Sequence, residues 1–310
     1  MVHKNRQVGE SYSEVIFMFP RWKAAVAAVL AAVLAWCGAL ALVGWYQPAQ
    51  QADLPMSGQK RLHSVELPIL MYHHIHKSAS QWGDHVVSPQ TLEGDFQYLT
   101  AQGYTAVTVA DLTAYTQNGT PLPEKPIMIT FDDGQLSVLE YALPLLEQYD
   151  LKAVVAVVGS FADEYTQSGD RNINYACMNW KDIRKLTESG RVEIANHTYD
   201  MHNLKKRRGC QKKDGESLSQ YRSALAADFE KNRAKIQAAT GVKPTAFAFP
   251  FGALSKEARK VLKAEGYQVM LTCTEQVNHL TGDPNELCDL GRFNRANSLD
   301  RETLFQKLEN

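Results

Sequence analysis

The chain has almost no net charge: 33 Lys and Arg against 34 Asp and Glu leave −1 over 310 residues. That excludes a general electrostatic attraction to nucleic acid, which needs a basic surplus or stripe. Cysteine is scarce, five in all. No two are spaced as C-x-x-C, which argues against cysteine-based metal sites. There is no internal repeat and no low-complexity tract, so repeat architectures drop out. What remains has the aromatic and apolar content of a globular protein and room for one large domain with additions.

One apolar run breaks the pattern. Ala24 to Tyr46 carries no charge and is long enough to cross a bilayer. Arg21 and Lys23 precede it, with Lys4 and Arg6 upstream. This positive flank is expected to stay cytoplasmic and send the rest outward. The run exceeds a typical signal core and no clear A-x-A site follows, which favours a single-pass anchor over a cleaved signal; cleavage would give a secreted protein. Starting at Met18 would shift the balance toward a signal. The expected organisation is a cytoplasmic segment (1–23), a membrane anchor or uncleaved signal (24–46), a polar linker (47–66) and one domain (67–310). In an extracytoplasmic domain, Cys177, Cys210, Cys273 and Cys288 can pair in three ways or stay as buried thiols. The pairings to test first are Cys177 with Cys210 and Cys273 with Cys288.

From Pro68 onward, apolar strand-like runs alternate with amphipathic stretches. The strand candidates are Pro68–Tyr72, Ala106–Val109, Ile127–Phe131, Ala153–Val158, Val192–Ala195, Thr245–Phe249, Gln268–Thr272 and Cys288–Phe293. Helical patterns cover Pro89–Gln102, Ser137–Tyr149, Trp180–Ser189, Leu218–Thr240 and Lys256–Glu265. This alternation predicts an α/β fold with a parallel sheet covered on both faces. Seven or eight such units suggest a barrel.

Two motifs carry the chemistry. Thr130-Phe131-Asp132-Asp133-Gly134 follows the apolar Ile127-Met128-Ile129, and His197-Thr198-Tyr199-Asp200-Met201-His202 follows Val192-Glu193-Ile194-Ala195. Two imidazoles and a carboxylate are the ligand types of a zinc-like centre with an open position. A second carboxylate beside the ligand supplies a base for a bound water, which points to hydrolysis. The two His are five residues apart. On a helix that spacing is a rotation of about 140°, and on a strand it means opposite faces. Both reach one ion only if the chain turns between them, so the motif belongs on a loop leaving a strand. Acids and histidines at the C-terminal ends of strands are the catalytic arrangement of parallel barrels.

Together these residues resemble the polysaccharide deacetylase family, carbohydrate esterase family 4, with its NodB-type homology domain. Met71-Tyr72-His73-His74 is similar to the opening of the branch that includes poly-N-acetylglucosamine deacetylases. The resemblance covers roughly the last four-fifths of the chain and implies a distorted parallel (β/α) barrel. It implies Asp132 as general base and Asp133, His197 and His202 as ligands of a divalent metal, by default zinc, with cobalt, nickel or iron suited to the same donors. Phe249-Pro250-Phe251-Gly252 matches the family's third element, in which the backbone N–H of Phe251 would face the substrate carbonyl oxygen. Thr198 is expected to orient the loop or to contact a bound anion or acetate, and with Phe249, Pro250 and Arg292 it completes the expected substrate contacts.

Two departures stand out. Where many members carry an Arg that orients the base, this chain has Ala246-Phe247-Ala248. Where many carry a late His as general acid, it has only His279 in a loop-like setting, which leaves His73 and His74 as the other candidates. The implied function is N-deacetylation of an extracellular N-acetylglucosamine polysaccharide, either peptidoglycan or poly-N-acetylglucosamine. The alternatives are an O-acetyl esterase on the same scaffold and a catalytically impaired glycan-binding protein. The basic run Lys205-Lys206-Arg207-Arg208, with Lys212-Lys213, reads as a solvated loop or as a contact for an anionic polymer.

Overall fold

Eight parallel strands build one curled sheet in the computed structural model, which describes residues 64–205 and 207–309. In chain order they are β1 (Ile69–Tyr72), β2 (Thr105–Ala106), β3 (Pro126–Phe131), β4 (Ala153–Val157), β5 (Val192–Asn196), β6 (Ala246–Ala248), β7 (Val269–Leu271) and β8 (Phe293–Asn294). The spatial order is β7-β6-β5-β4-β3-β1-β8, with β2 paired to the first residues of β3. The two ends of this path meet. Leu290 bridges Leu271 of β7, Thr272 N donates to Leu290 O at 2.8 Å, and Arg292 N donates to Thr274 O at 2.9 Å, just before β8 pairs with β1.

Strand parity sorts the core. Ile69, Met128, Val154, Ala156, Ala195, Ala246, Ala248 and Leu271 share one buried cluster on the inner side. Leu70, Tyr72, Ile127, Ile129 and Val155 face the other way, onto helix residues such as Leu92, Phe96 and Ile183. The helices are α1 (Pro89–Ala101), α2 (Val109–Asn118), α3 (Leu143–Gln148), α4 (Gly159–Ser168), α5 (Trp180–Glu188), α6 (Leu218–Thr240), α7 (Lys256–Ala264) and α8 (Arg301–Glu309). Ser88 caps α1 by accepting from Thr91 N, with Pro89 in the first position, and Ser217 with Gln220 forms a capping box on α6.

Some expected boundaries move. The strand predicted to reach Val109 stops at Ala106, because Thr108 N donates to Asp111 Oδ2 at 2.8 Å and starts α2. The last predicted strand shrinks to Phe293–Asn294, since Pro284–Cys288 forms a short 3-10 turn capped by Asp283. The anchor (24–46) and its cytoplasmic flank lie outside the described residues. Among the described residues, no helix is long and apolar enough to cross a membrane.

The expected disulfides are not formed: Cys177, Cys210, Cys273 and Cys288 are all free. The supposed partners pack in different places. Cys210 and Cys288 sit in the cluster beneath α6 with Tyr221 and Phe249. Cys177 bridges Gln135 near the acidic motif, and Cys273 lies against Met71.

A buried charge cluster ties the last helix to the sheet. Asp95 of α1, fully buried, receives Arg295 Nε at 2.6 Å, Arg301 Nε at 3.0 Å and the Tyr72 hydroxyl at 3.1 Å. Asp95→Ala would leave the buried Arg295 uncompensated and should destabilise the domain by about 3–5 kcal/mol, read as a shift in the urea midpoint. Denatured, non-reduced protein should titrate all four of these thiols; protected thiols would restore the disulfide expectation.

Candidate metal centre and active site

The alternation of β3 carries Met128, Thr130 and Asp132 on the same inward parity, and Asp132 is buried at the mouth of the barrel. The chain then swings away: Asp133 takes φ 67° and Gly134 φ 68°. The positive φ favours glycine, and an added Cβ on Gly134 would press on Val157 Cγ1 at 3.2 Å. Two adjacent aspartates therefore point in different directions. The same parity on β5 sends Ala195 and His197 inward and Asn196 outward to α6.

The loop from His197 to His202 is held from behind. Asn196 Oδ1 accepts from Thr198 N at 2.8 Å and from Asn232 Nδ2 at 2.8 Å, and Asn196 Nδ2 donates to Phe229 O. Asp228 of α6 accepts from Tyr199 N at 2.7 Å and Asp200 N at 2.8 Å. Burial raises the Asp228 pKa, and the two backbone N–H groups oppose that rise. Thr198 takes φ 72° within this loop, and Phe251 takes φ 57° across the mouth. Three of the four described non-glycine residues with positive φ thus belong to the site, the arrangement in which strain is stored where it positions a group.

Asp133, His197 and His202 come together, each offering a ligand atom within 4.8 Å of the others. Asp133 Oδ1 lies 3.5 Å from His197 Nε2 and 3.1 Å from His202 Nε2, yet it is buried and makes no hydrogen bond. The His197 ring is oriented by its other nitrogen, with Nδ1 2.8 Å from Ala248 O. Nδ1 must donate there, which leaves the neutral ring's Nε2 lone pair facing a carboxylate oxygen. A lone pair against an anionic oxygen is repulsive. Burial disfavours a proton on Nε2, but Asp132 and Asp133 outweigh it and raise the His197 pKa; that proton, or a metal cation between the two atoms, relieves the repulsion. An imidazole fixed by a backbone carbonyl is also the usual outer support of a metal ligand. The donor set fits a divalent ion of the zinc type.

Asp132 has a different environment. Arg292, with no exposed surface, grips it in a fork: Nη1–Oδ1 2.8 Å and Nη2–Oδ2 2.8 Å. Arg292 Nη1 also reaches Thr130 Oγ1 at 3.2 Å, and Nε donates to Thr272 O at 2.8 Å. Burial alone would raise the Asp132 pKa, but Arg292 and then His197 outweigh it and hold it at about 2. The base-orienting Arg that the sequence lacks ahead of Pro250 thus arrives from just before β8.

The expected substrate contacts need correction. Arg292 is consumed by Asp132 and has no face toward a ligand. Thr198 and Phe249 have no exposed surface, and Pro250 is buried. Phe249 packs on Phe247 in the core, and the Thr198 hydroxyl accepts from Met201 N. The accessible aromatic at the mouth is Phe251, 37% exposed, its ring 4.3 Å from that of His202.

The three candidate acids separate cleanly. His279 is exposed, paired with Glu66 on the strand pair at the N-terminal end of the barrel, away from the carboxylates. His74 has both ring nitrogens engaged, with Ser137 Oγ at 2.9 Å and Asn174 O at 3.1 Å. His73 is half-buried, its buried Nδ1 has no hydrogen-bond partner, and its ring lies 4.5 Å from that of His85. Burial lowers its pKa, while Asp132 and Asp133 pull it back up. Replacing Asp228 by Ala should weaken divalent-ion binding about 10–100-fold by freeing the His loop, measured by calorimetric titration with zinc or cobalt. Unchanged affinity would mean the loop holds its own shape.

Residues 119–270 match the family model described as polysaccharide deacetylase. The poly-beta-1,6-N-acetyl-D-glucosamine N-deacetylase of Escherichia coli (strain K12) is 27% identical over 244 residues, covering 73% of this chain and 36% of that one. The protein of the same name from Staphylococcus epidermidis is 24% identical over 190 residues, 61% of this chain and 62% of its own. The chain thus spans only 36% of the length of the first of these relatives. A solved de-N-acetylase from Aggregatibacter actinomycetemcomitans has the same fold, with a TM-score of 0.67 at 23% identity, covering 78% of this chain and 100% of that one. The family match contains both aspartates, both metal-site histidines and Phe251, and it leaves His73 and Arg292 outside. On these grounds residues 119–270 carry a polysaccharide deacetylase domain.

Proposed function

We propose that the protein is a metal-dependent hydrolase that removes N-acetyl groups from an extracellular N-acetylglucosamine polysaccharide, poly-N-acetylglucosamine or peptidoglycan. The observation that carries this reading is the split between two neighbouring aspartates: Asp133 faces two imidazoles, and Asp132 is locked in the Arg292 fork. The names of the relatives favour a glucosamine polymer. The extracytoplasmic setting and the membrane anchor follow from the sequence of residues 24–46 and its basic flank.

A divalent ion held by Asp133, His197 and His202, zinc or else cobalt, nickel or iron, would supply Lewis acidity to the acetamide carbonyl and to the attacking water. Asp132 takes the proton from that water. With its pKa held at about 2, it stays ionised at any working pH and is too weak a base for ordinary water. The backbone N–H of Phe251 stabilises the oxyanion as the carbonyl carbon becomes tetrahedral. His73 delivers a proton to the leaving nitrogen, without which an amine does not depart. The fork on Asp132 and the half-buried His73, whose Nδ1 has no partner, support an enzyme over a non-catalytic glycan binder.

Acetate release from poly-N-acetylglucosamine, peptidoglycan and chitin-like oligomers, with metal analysis of the same sample, tests the whole reading. Release from none of them would overturn it, and release only from O-acetylated glycans would make it an esterase. Asp132→Asn should keep its metal and lose turnover, whereas Asp133→Asn should lose the metal; equal metal loss in both would remove the base assignment. His73→Ala should slow turnover by about 10²–10⁴ with the metal retained. His279→Ala should leave the rate unchanged, and a large loss there would return the acid to the later position.

A further inference from the structure

The hairpin that carries His202 runs on into cations that the proposed chemistry does not use. Arg207 is accounted for: it is buried, meets Glu216 at 2.5 and 3.0 Å, and lies over the Tyr221 ring. Lys205, Arg208, Lys212 and Lys213 are different. All four are exposed, and none has a side-chain hydrogen bond or ion pair among the described residues. Together with Asp214 they line a cavity of about 350 Å³.

These charges are held beside the site. Arg208 is the register partner of His202 in the antiparallel hairpin. The two side chains therefore lie on one face with Cβ atoms about 4.5–5.5 Å apart. Gly209, at φ 55°, seats the hairpin on the Pro250–Gly252 turn, where an added Cβ would come 2.6 Å from Pro250 O. Gly209 N also donates to Met201 O at 3.0 Å. Phe251 in that turn touches the His202 ring.

The charge of the polymer changes with each turnover. A neutral acetamide becomes an amine, which is protonated near neutral pH. Fixed cations next to the reacting unit repel sugars already converted and attract carboxylates or phosphates. We propose that the Lys205–Lys213 loop is a charge filter on the glycan. It admits fully acetylated or anionic stretches and rejects stretches that already carry free glucosamine, so that deacetylation is scattered along the chain. This inference rests on the N-deacetylase reading.

The test is binding, which needs no turnover. Three N-acetylglucosamine hexamers are compared by calorimetry: fully acetylated, deacetylated at two units, and fully acetylated with one added carboxylate. At low salt the acetylated hexamer should bind about tenfold more tightly than the partly deacetylated one, and the carboxylated hexamer tightest of all. The gap should shrink to about twofold at high salt. Combined Lys205→Glu, Lys212→Glu and Lys213→Glu should reverse the order, with the corresponding Gln variant intermediate and thermal melts reporting the fold. Equal affinities for the three hexamers, an order unchanged by charge reversal, or no binding of any hexamer would each overturn the filter. The ordered affinities without acetate release would sink the N-deacetylase reading and with it the role of the filter, leaving only a charge preference in glycan binding. Acetate release without charge preference would sink the filter alone.

Discussion

A guanidinium with no exposed surface must be neutralised where it lies, and Arg292 finds its counter-charge in Asp132. Much of the site follows from that constraint. The fork consumes both carboxylate oxygens of Asp132 and fixes its plane, so Asp132 is held apart from the ligand set. The next residue faces the two imidazoles because the chain turns through a left-handed conformation at Asp133 and Gly134. Two identical side chains, adjacent in sequence, acquire opposite tasks through strand parity and one unusual backbone angle. The same pair draws the chain just before β8 toward the strand that carries the base, which helps to close the sheet.

Helix α6 complements this from outside. Asp228 and Asn232 satisfy the backbone and side-chain polar groups of the loop that separates the two imidazoles. Loops carry reacting groups well when a rigid element positions them, and here the rigid element is a 23-residue helix packed on the sheet. A cavity of about 830 Å³ lies at the opposite end, lined by Glu66, Pro68 and Pro126 at the beginnings of strands. Size alone would point to the wrong end of the barrel, whereas the carboxylates and imidazoles mark the end where strands finish.

Asp132, Asp133, His197 and His202 were legible because they fall in two contiguous motifs, each at the end of an apolar run, where parity sets the direction of Asp132 and His197. The barrel was legible because strands covered on both faces leave near-continuous apolar segments. Arg292 was not legible in its true role. It lies 160 residues from Asp132, and the strand that follows it is only two residues long, too short for a periodic signal. Thr198, Phe249 and Pro250 were misread because motif membership was taken for exposure; their neighbours in space bury them. Asp228 and Asn232 carried no signal within the Leu218–Thr240 helix pattern, since sequence does not reveal that a loop's unsatisfied groups lie opposite. The thiols were paired by their spacing around motifs, which says nothing about Cα separation.

Synthesis of the chain has a direction, and the Arg292 fork gives that direction a meaning. Asp133, His197 and His202 have all left the ribosome before residue 292 is made. Until then Asp132 has no counter-charge and no fixed plane. The fork arrives with the closing segment, among the last of the barrel to be translated. Whatever Asp132 does is thereby tied to completion of the chain, and one that stalls before Arg292 lacks the contact that orients this carboxylate.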